Sequence, residues 1–283
     1  MFSLWRQKKG EIVLRVSPGG APWSPGFEGE HWALKQCSKK DIPVPEILTF
    51  GTVQTELPTL CQYLLVERIP GKPLKEQLHL RRKEIKSYYK EAGYLLSKIH
   101  TIKTKGFGPL KSKGKGSFNS WEEFILRHIS TRLLNYLLEN RIINESLRNR
   151  IFDIFNSEEA YLELKSPVLL HGDFSNNHIF IDKGRVSGII DFEDCISGDP
   201  LYDLVSPELY CEIAGTPSPI PYFLEGYQNG FTDEELGRKL TFYKLQKTLP
   251  LIWWWKEERK ELGKGLRVRR LSSLLRRYLK ELE

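Results

Sequence analysis

Asp173, His178 and Asp191 are the residues whose types and spacing most directly suggest chemistry. The first two lie in Leu169-Leu170-His171-Gly172-Asp173-Phe174-Ser175-Asn176-Asn177-His178-Ile179-Phe180-Ile181-Asp182, and Val186-Ser187-Gly188-Ile189-Ile190-Asp191-Phe192 follows after a short turn. Moving a nucleotide's terminal phosphoryl group to a hydroxyl needs a carboxylate that orients the hydroxyl and takes its proton. It also needs acidic or neutral ligands that hold a magnesium ion against the phosphates. Two aspartates and an imidazole meet that requirement. Asn177 is an alternative to His178, although neighbouring side chains of an extended segment point to opposite sides.

The flanking residues account for how these groups would be brought together. Val168 to Leu170, Ile179 to Ile181 and Val186 to Ile190 are short, apolar and β-branched, bounded by turn residues, so they read as buried strands. Lys183-Gly184 is the turn between the last two, which folds Asp191 back beside the loop holding Asp173 and His178. Irregular backbone at strand ends is where a rigid scaffold usually carries chemistry.

His171-Gly172-Asp173 and Ile190-Asp191-Phe192 resemble the catalytic and metal-binding motifs of the aminoglycoside phosphotransferase family, which shares the protein-kinase fold. The kinase pattern places an Asn five residues after the catalytic Asp. Here that place holds His178, and the run Asp-Phe-Ser-x-x-His is nearest in motif to the 2''-aminoglycoside phosphotransferases. The resemblance implies that Asp173 is the catalytic base and that His178 and Asp191 are magnesium ligands. Asp199-Pro200-Leu201-Tyr202-Asp203-Leu204 is similar to the family's Asp-Pro-x-x-Asp-Leu element, so His171 and Asp203 take supporting roles.

The same resemblance implies an α+β, two-lobed protein-kinase-like fold, with a small, shortened antiparallel-sheet lobe over residues 1–70 and a larger, mainly helical lobe over 71–283. Phe2 to Arg6 and Glu11 to Val16 read as a hairpin about Lys9-Gly10, Ser17 to Gly26 as a Pro/Gly loop, and Glu30 to Cys37 as a helix stopped near Ile42-Pro43. Arg15 stands where kinases place the lysine that grips the nucleotide's phosphates, with Glu30 as its ion-pair partner. The other reading is a surface Arg on an edge strand beside a solvated Glu. One strand precedes Arg15, and Gly19-Gly20 lies on its far side. The expectation is therefore a shortened lobe, or a start that omits upstream residues. Gln62 to Gly71 resembles the interlobe hinge, where the Glu67 carbonyl and Ile69 amide would meet the base of ATP or GTP, with Phe180 and Ile190 as apolar faces beneath the ring or as plain core packing. A cationic acceptor calls for carboxylates, for which Glu193, Asp194, Glu208 and Glu212 are candidates, each reading equally as a solvated surface acid.

Composition narrows the alternatives. The chain of 283 residues, 40% hydrophobic and 28% charged, is long enough to bury one large core or two lobes. No apolar run approaches a membrane span, and the first ten residues lack the apolar core of a signal peptide. Cys37, Cys61, Cys195 and Cys211 have no paired spacing, which suits a cytoplasmic setting. The net charge of +7 is compatible with nucleic acid or with an anion-attracting enzyme, but no RNA-binding motif accompanies it. The expected partners are a nucleotide and a small hydroxyl compound, with the chain a monomer or weak dimer. The rival reading is a catalytically weak pseudokinase whose basic carboxy-terminal helix contacts RNA or a protein.

Further along, Ile85 to Ile99 recur at helical spacing, and His100 reads as a packing residue. Lys103 to Ser117 lacks an apolar period and reads as a solvated loop. Ser120-Trp121-Glu122-Glu123 has a capping-box pattern. Trp253-Trp254-Trp255 reads as core packing or as an aromatic platform. Val268, Leu271, Leu274, Leu275, Tyr278, Leu279 and Leu282 form an apolar stripe that leaves the arginines outside.

Overall fold

The computed structural model describes residues 2–6, 10–17, 27–54, 61–78, 81–127, 129–228, 230–258 and 264–283. Lys9, most of the Ser17 to Gly26 loop and Gly19-Gly20 lie outside these residues. Packing divides the chain into one unit of Met1–Ser117, Ser166–Pro207 and Pro219–Gly230, and a second of Phe118–Lys165, Glu208–Ser218 and Phe231–Glu283.

In the first unit, strands β1 (Phe2–Arg6), β2 (Gly10–Ser17), β3 (Ile47–Val53) and β4 (Cys61–Glu67) form an antiparallel sheet in the order β1-β2-β4-β3. Arg15 is therefore on an interior strand, paired with Leu64 of β4. Helix α1 (Glu28–Ser38) buries Gly29, Glu30, Ala33, Leu34 and Cys37, one face at helical spacing. After the short strand β5 (Lys72–Pro73), helix α2 (Arg82–Ile99) buries Tyr88, Tyr89, Ala92, Leu95, Leu96 and Ile99.

Lys103 to Ser117 is not a solvated loop. It holds strand β6 (Phe107–Leu110) and the start of β7 (Gly116–Phe118), in a sheet of order β7-β6-β11-β8 with β8 (Val168–Leu170) and β11 (Ile196–Gly198). Leu110 is fully buried, and Gly114 lies against the Trp32 ring. This segment is held by backbone pairing, which leaves no side-chain period to read. A third sheet joins β10 (Arg185–Ile189), β9 (Ile179–Asp182) and β5, so the β9–β10 hairpin about Lys183-Gly184 forms as expected.

The second unit is helical: α3 (Trp121–Arg127), α4 (Thr131–Glu139), α5 (Glu145–Ser157), most of α6 (Val205–Ala214), then α8 (Leu240–Glu257) and α9 (Lys264–Leu282). Helix α7 (Ile220–Gly226) belongs to the first unit. Ser120 Oγ accepts from the Glu123 amide, and Glu123 accepts in turn from Asn119 rather than from Ser120, a capping box displaced by one residue. Of the tryptophan run, Trp255 is buried under the Arg267 guanidinium, whereas Trp253 is exposed, because consecutive helical residues face different ways. On α9, Leu271, Leu274, Leu275, Tyr278, Leu279 and Leu282 are buried and the arginines lie outside, as their spacing requires. All four cysteines are buried, and none is joined in a disulfide. Among the described residues no helix is long and apolar enough to cross a membrane.

Candidate active site

The site lies in the first unit and starts from a buried acid. Asp199 caps the turn at Pro200–Leu204 by accepting from the Leu201 amide, and this turn sets Asp203 beneath the end of β8. Asp203 accepts from the amides of His171 (2.7 Å) and Gly172 (2.8 Å) and from His100 Nε2 (3.0 Å). Burial alone would raise the Asp203 carboxyl. The hydrogen bond from His100, the nearby His171 and the Gly172 amide outweigh it and hold the group below the usual carboxylate range. The loop that carries Asp173 is thus held through its backbone by one anion.

Gly172 makes the sharp turn, at φ +85. The chain then turns back on itself through His171. Its Nε2–H donates to the Ile190 carbonyl (2.9 Å), while its Nδ1 accepts from the Asp173 amide at 3.3 Å. Burial lowers the His171 pKa, in keeping with a neutral ring that donates from one nitrogen and accepts at the other. One imidazole therefore ties the residue before Asp191 to the backbone of Asp173. The Ile190 amide also donates to the His178 carbonyl (3.0 Å).

These bonds gather the three chemical groups. His178 Nδ1 is 2.8 Å from the Asp173 carbonyl, which only accepts, so Nδ1 carries the proton. Nε2 faces Asp191 Oδ2 at 3.4 Å, and in the neutral ring it presents its lone pair there. Two acceptors set opposite one another fit a cation shared between them, and a histidine that donates its other N–H to a carbonyl is the usual arrangement of a metal-binding imidazole. Among the described residues no three His, Cys, Asp or Glu side chains are grouped to hold a metal ion by themselves. A pair of donors suits magnesium, which commonly takes one or two protein ligands together with phosphate oxygens and water, although nitrogen is not its preferred donor. Asp191 holds a left-handed conformation (φ 69, ψ 60), strain of the kind found at functional sites. Asn177 is exposed.

Arg15 reaches this cluster from β2. Its side chain is only 12% exposed and bonds Glu30, Asp191 Oδ1 (3.0 Å) and Glu193 Oε2 (2.6 Å), with Phe27 beneath the guanidinium. That placement excludes the reading of a surface Arg on an edge strand. Burial pushes the Glu30 carboxyl up to about 7, and Asp191 and Glu193 add to the rise against the pull of Arg15. Glu30 Oε2 is buried with no hydrogen-bond partner among the described residues.

The hinge residues fall beside the strands that lead into the site. Ile69 packs against Gly188 of β10, Ser187 Oγ donates to the Pro70 carbonyl, and Pro73 pairs with Phe180. Glu67, Ile69, Phe180 and Ile190 are all half-buried. Of the candidate substrate acids, Glu193 is bound to Arg15 and Asp194 is exposed beside Gly172. Glu208 and Glu212 belong to the second unit. There Glu208 accepts from Ser218, and Glu212 is engaged by Lys244, Arg277 and Tyr278.

Two features of the site go beyond the sequence reading. His100 is buried and bonded to Asp203, and its only sequence signal is a polar residue at the end of the apolar face of α2. Tyr89, also on α2, accepts from Asn176 of the Asp173 loop (3.0 Å).

Fold and site together define a kinase-like phosphotransferase class. Residues 2–239 match the phosphotransferase enzyme family APH, and the chain belongs to that family. It is similar to hygromycin-B 4-O-kinase of Escherichia coli, 23% identical over an alignment 231 residues long that covers 75% of this chain and 65% of that protein. The match thus spans less than two thirds of the relative's length. The solved aminoglycoside phosphotransferase APH(4)-Ia superposes with a TM-score of 0.71 as the apo form of a thermostable mutant, at 17% identity over 98% of this chain and 89% of that one. A related mutant in ternary complex with AMP-PNP and hygromycin B gives 0.69, at 17% identity over 99% and 93%. ADP-bound APH(2'')-Ib gives 0.62, at 17% identity over 99% and 93%.

Proposed function

We propose that this chain is an ATP- or GTP-dependent phosphotransferase acting on a hydroxyl of an aminoglycoside-like compound or amino-alcohol metabolite, in the cytoplasm. The observation that carries the reading is the convergence of Asp173, His178, Asp191 and Arg15 on one cluster, within a chain of the APH family. Solved APH(4)-Ia mutants in complexes with hygromycin B and a nucleotide carry Ala in place of an Asp and of two Asn four and five residues after it, the spacing here of Asp173, Asn177 and His178. The motif likeness to the 2''-type enzymes rests on His178.

Residues 1–70 would serve as the nucleotide-binding lobe and 71–283 as the catalytic and substrate-binding lobe. In that division the base of the nucleotide lies at Glu67 and Ile69, with Phe180 and Ile190 beneath it, and its phosphates meet Arg15, oriented by Glu30. Asp191 and His178 are the donors that would hold magnesium, which when bound neutralises phosphate charge as the transfer proceeds. Asp173 accepts the hydroxyl proton while the substrate oxygen bonds the terminal phosphorus. The bond from that phosphorus to the bridging oxygen breaks, and its electron pair leaves with the nucleoside diphosphate. His171 and Asp203 keep Asp173 in place. Glu193 and Asp194 supply negative charge near a cationic acceptor.

The test is turnover of ATP and GTP with magnesium over a panel of aminoglycosides and amino alcohols, comparing wild type with Asp173→Asn. Loss of a general base commonly lowers rates about 10²–10⁴-fold, so turnover confined to the wild type supports the enzyme. Equal background in both would point to a kinase-like binding module instead.

A further inference from the structure

His100 links the brace of the Asp173 loop to a residue far away in sequence. Its Nε2 lies 3.0 Å from Asp203 Oδ2 and its Nδ1 lies 2.6 Å from the Tyr227 hydroxyl. Tyr227 closes α7, with its amide donating to the Phe223 carbonyl, and its ring meets that of His100 edge-on at 5.6 Å. The His100 and Asp203 side chains are 1% and 0% exposed, and Tyr227 is 7% exposed, so no bulk water stands ready to replace these bonds. The approach of α7 to α2 is set by backbone, because a Cβ on Gly93 would meet the Phe223 carbonyl oxygen and one on Gly226 the Lys90 carbonyl oxygen.

A neutral imidazole carries one proton, on either nitrogen. With the proton on Nε2, His100 donates to Asp203 and accepts from Tyr227. With it on Nδ1, a lone pair would face the carboxylate that holds the His171 and Gly172 amides. We propose that Tyr227 is a positioning residue of the phosphotransferase: its hydroxyl donates to Nδ1, selects the Nε2–H tautomer of His100, and thereby keeps Asp203 seated under the catalytic loop. Tyr227 and His100 touch no reacting atom. Their effect reaches the chemistry only through the placement of Asp173, so it bears on turnover rather than on nucleotide binding. The inference rests on the phosphotransferase reading of Asp173.

The experiment has two arms. Nitrogen-15 NMR of His100 in the wild type is expected to show a protonated Nε2 and an unprotonated Nδ1, and Tyr227→Phe is expected to disturb that pattern. A protonated Nδ1 in the wild type would overturn the proposal whether or not the chain transfers phosphate. In the kinetic arm, Tyr227→Phe is expected to lower kcat about three- to tenfold, the scale of one buried hydrogen bond, while the nucleotide Kd stays within about twofold. The glutamine of His100→Gln donates to Asp203 without help from Tyr227. Adding Tyr227→Phe to that variant is then expected to change kcat less than about twofold, as the sharing of one network requires. An equal loss in both backgrounds, or a loss confined to nucleotide affinity, would refute the positioning role. Absence of transfer by the wild type would count against the enzyme reading, and the NMR arm would still decide the tautomer.

Discussion

Gly172→Ala separates what the turn before Asp173 requires from ordinary backbone strain. At φ +85 an L-residue costs about 1–2 kcal/mol relative to glycine. In addition, the new Cβ would stand 1.8 Å from the Asp194 carbonyl oxygen, where real Cβ atoms come no nearer than 3.0 Å. The backbone must therefore open by more than 1 Å, and because the obstacle is main chain no side-chain rotation relieves it. Forced overpacking adds about 1–3 kcal/mol, for a total of about 2–5 kcal/mol. The residue displaced is the neighbour of Asp173, and a shift of about 1 Å in a reacting group costs on the order of 10²-fold in rate. Gly184→Ala is the internal control, since Gly184 has φ +79 and nothing within 4 Å of the added carbon. Thermal melts of both variants at roughly 2–4 °C per kcal/mol, with turnover measured below the transition, give the comparison. Gly184→Ala is expected to lose strain energy alone and keep its activity, whereas Gly172→Ala loses more stability and nearly all turnover. Equal melting points together with full activity in Gly172→Ala would refute the reasoning.

The Arg15 cluster carries the remaining expectations. Arg15→Ala should weaken nucleotide binding in calorimetry by about tenfold or more, the scale of a charge-assisted hydrogen bond, whereas Glu193→Gln should tighten it about two- to fivefold by freeing a guanidinium nitrogen that Glu193 now shares with Asp191. Burial raises Glu30 from 4.5 to about 7, so between those values the folded chain holds more protons than the unfolded one, and stability falls as pH rises across that window. Glu30→Gln should remove that slope, worth on the order of 1–3 kcal/mol, in melts run from pH 4.5 to 7. Parallel pH profiles for the two proteins would contradict it.

The parts legible in the sequence were those governed by local pattern. β8, β9 and β10 are short β-branched runs, and Lys183-Gly184 supplies the left-handed turn that joins two of them, so the return of Asp191 to the loop of Asp173 and His178 follows from spacing, whereas His178 rather than Asn177 rests on the family resemblance. Arg15 could not be decided that way. Which side of β2 is covered depends on β4 and on the segment after Ile190, and only their placement shows the guanidinium enclosed by three carboxylates. Lys103 to Ser117 carries no apolar period because Gly114 and Gly116 pack by backbone, against the Trp32 ring and the Phe107 main chain. The role of His100 depends on Asp203 and Tyr227, which lie more than a hundred residues away and carry no local sign of it. The pairing of Glu212 with Arg277 and Tyr278 has no local sign either, because α9, which brings them to it, lies some sixty residues later in the chain.

That Asp191 and His178 act as one metal-and-nucleotide site is tested most directly by calorimetric titration of ATP with magnesium and with EDTA, in wild type, Asp191→Asn and His178→Ala. Magnesium is expected to tighten nucleotide binding in the wild type, and each substitution should abolish most of that gain without altering the melting curve. Wild-type affinity that is the same in EDTA, or a gain that survives in Asp191→Asn, would contradict the account.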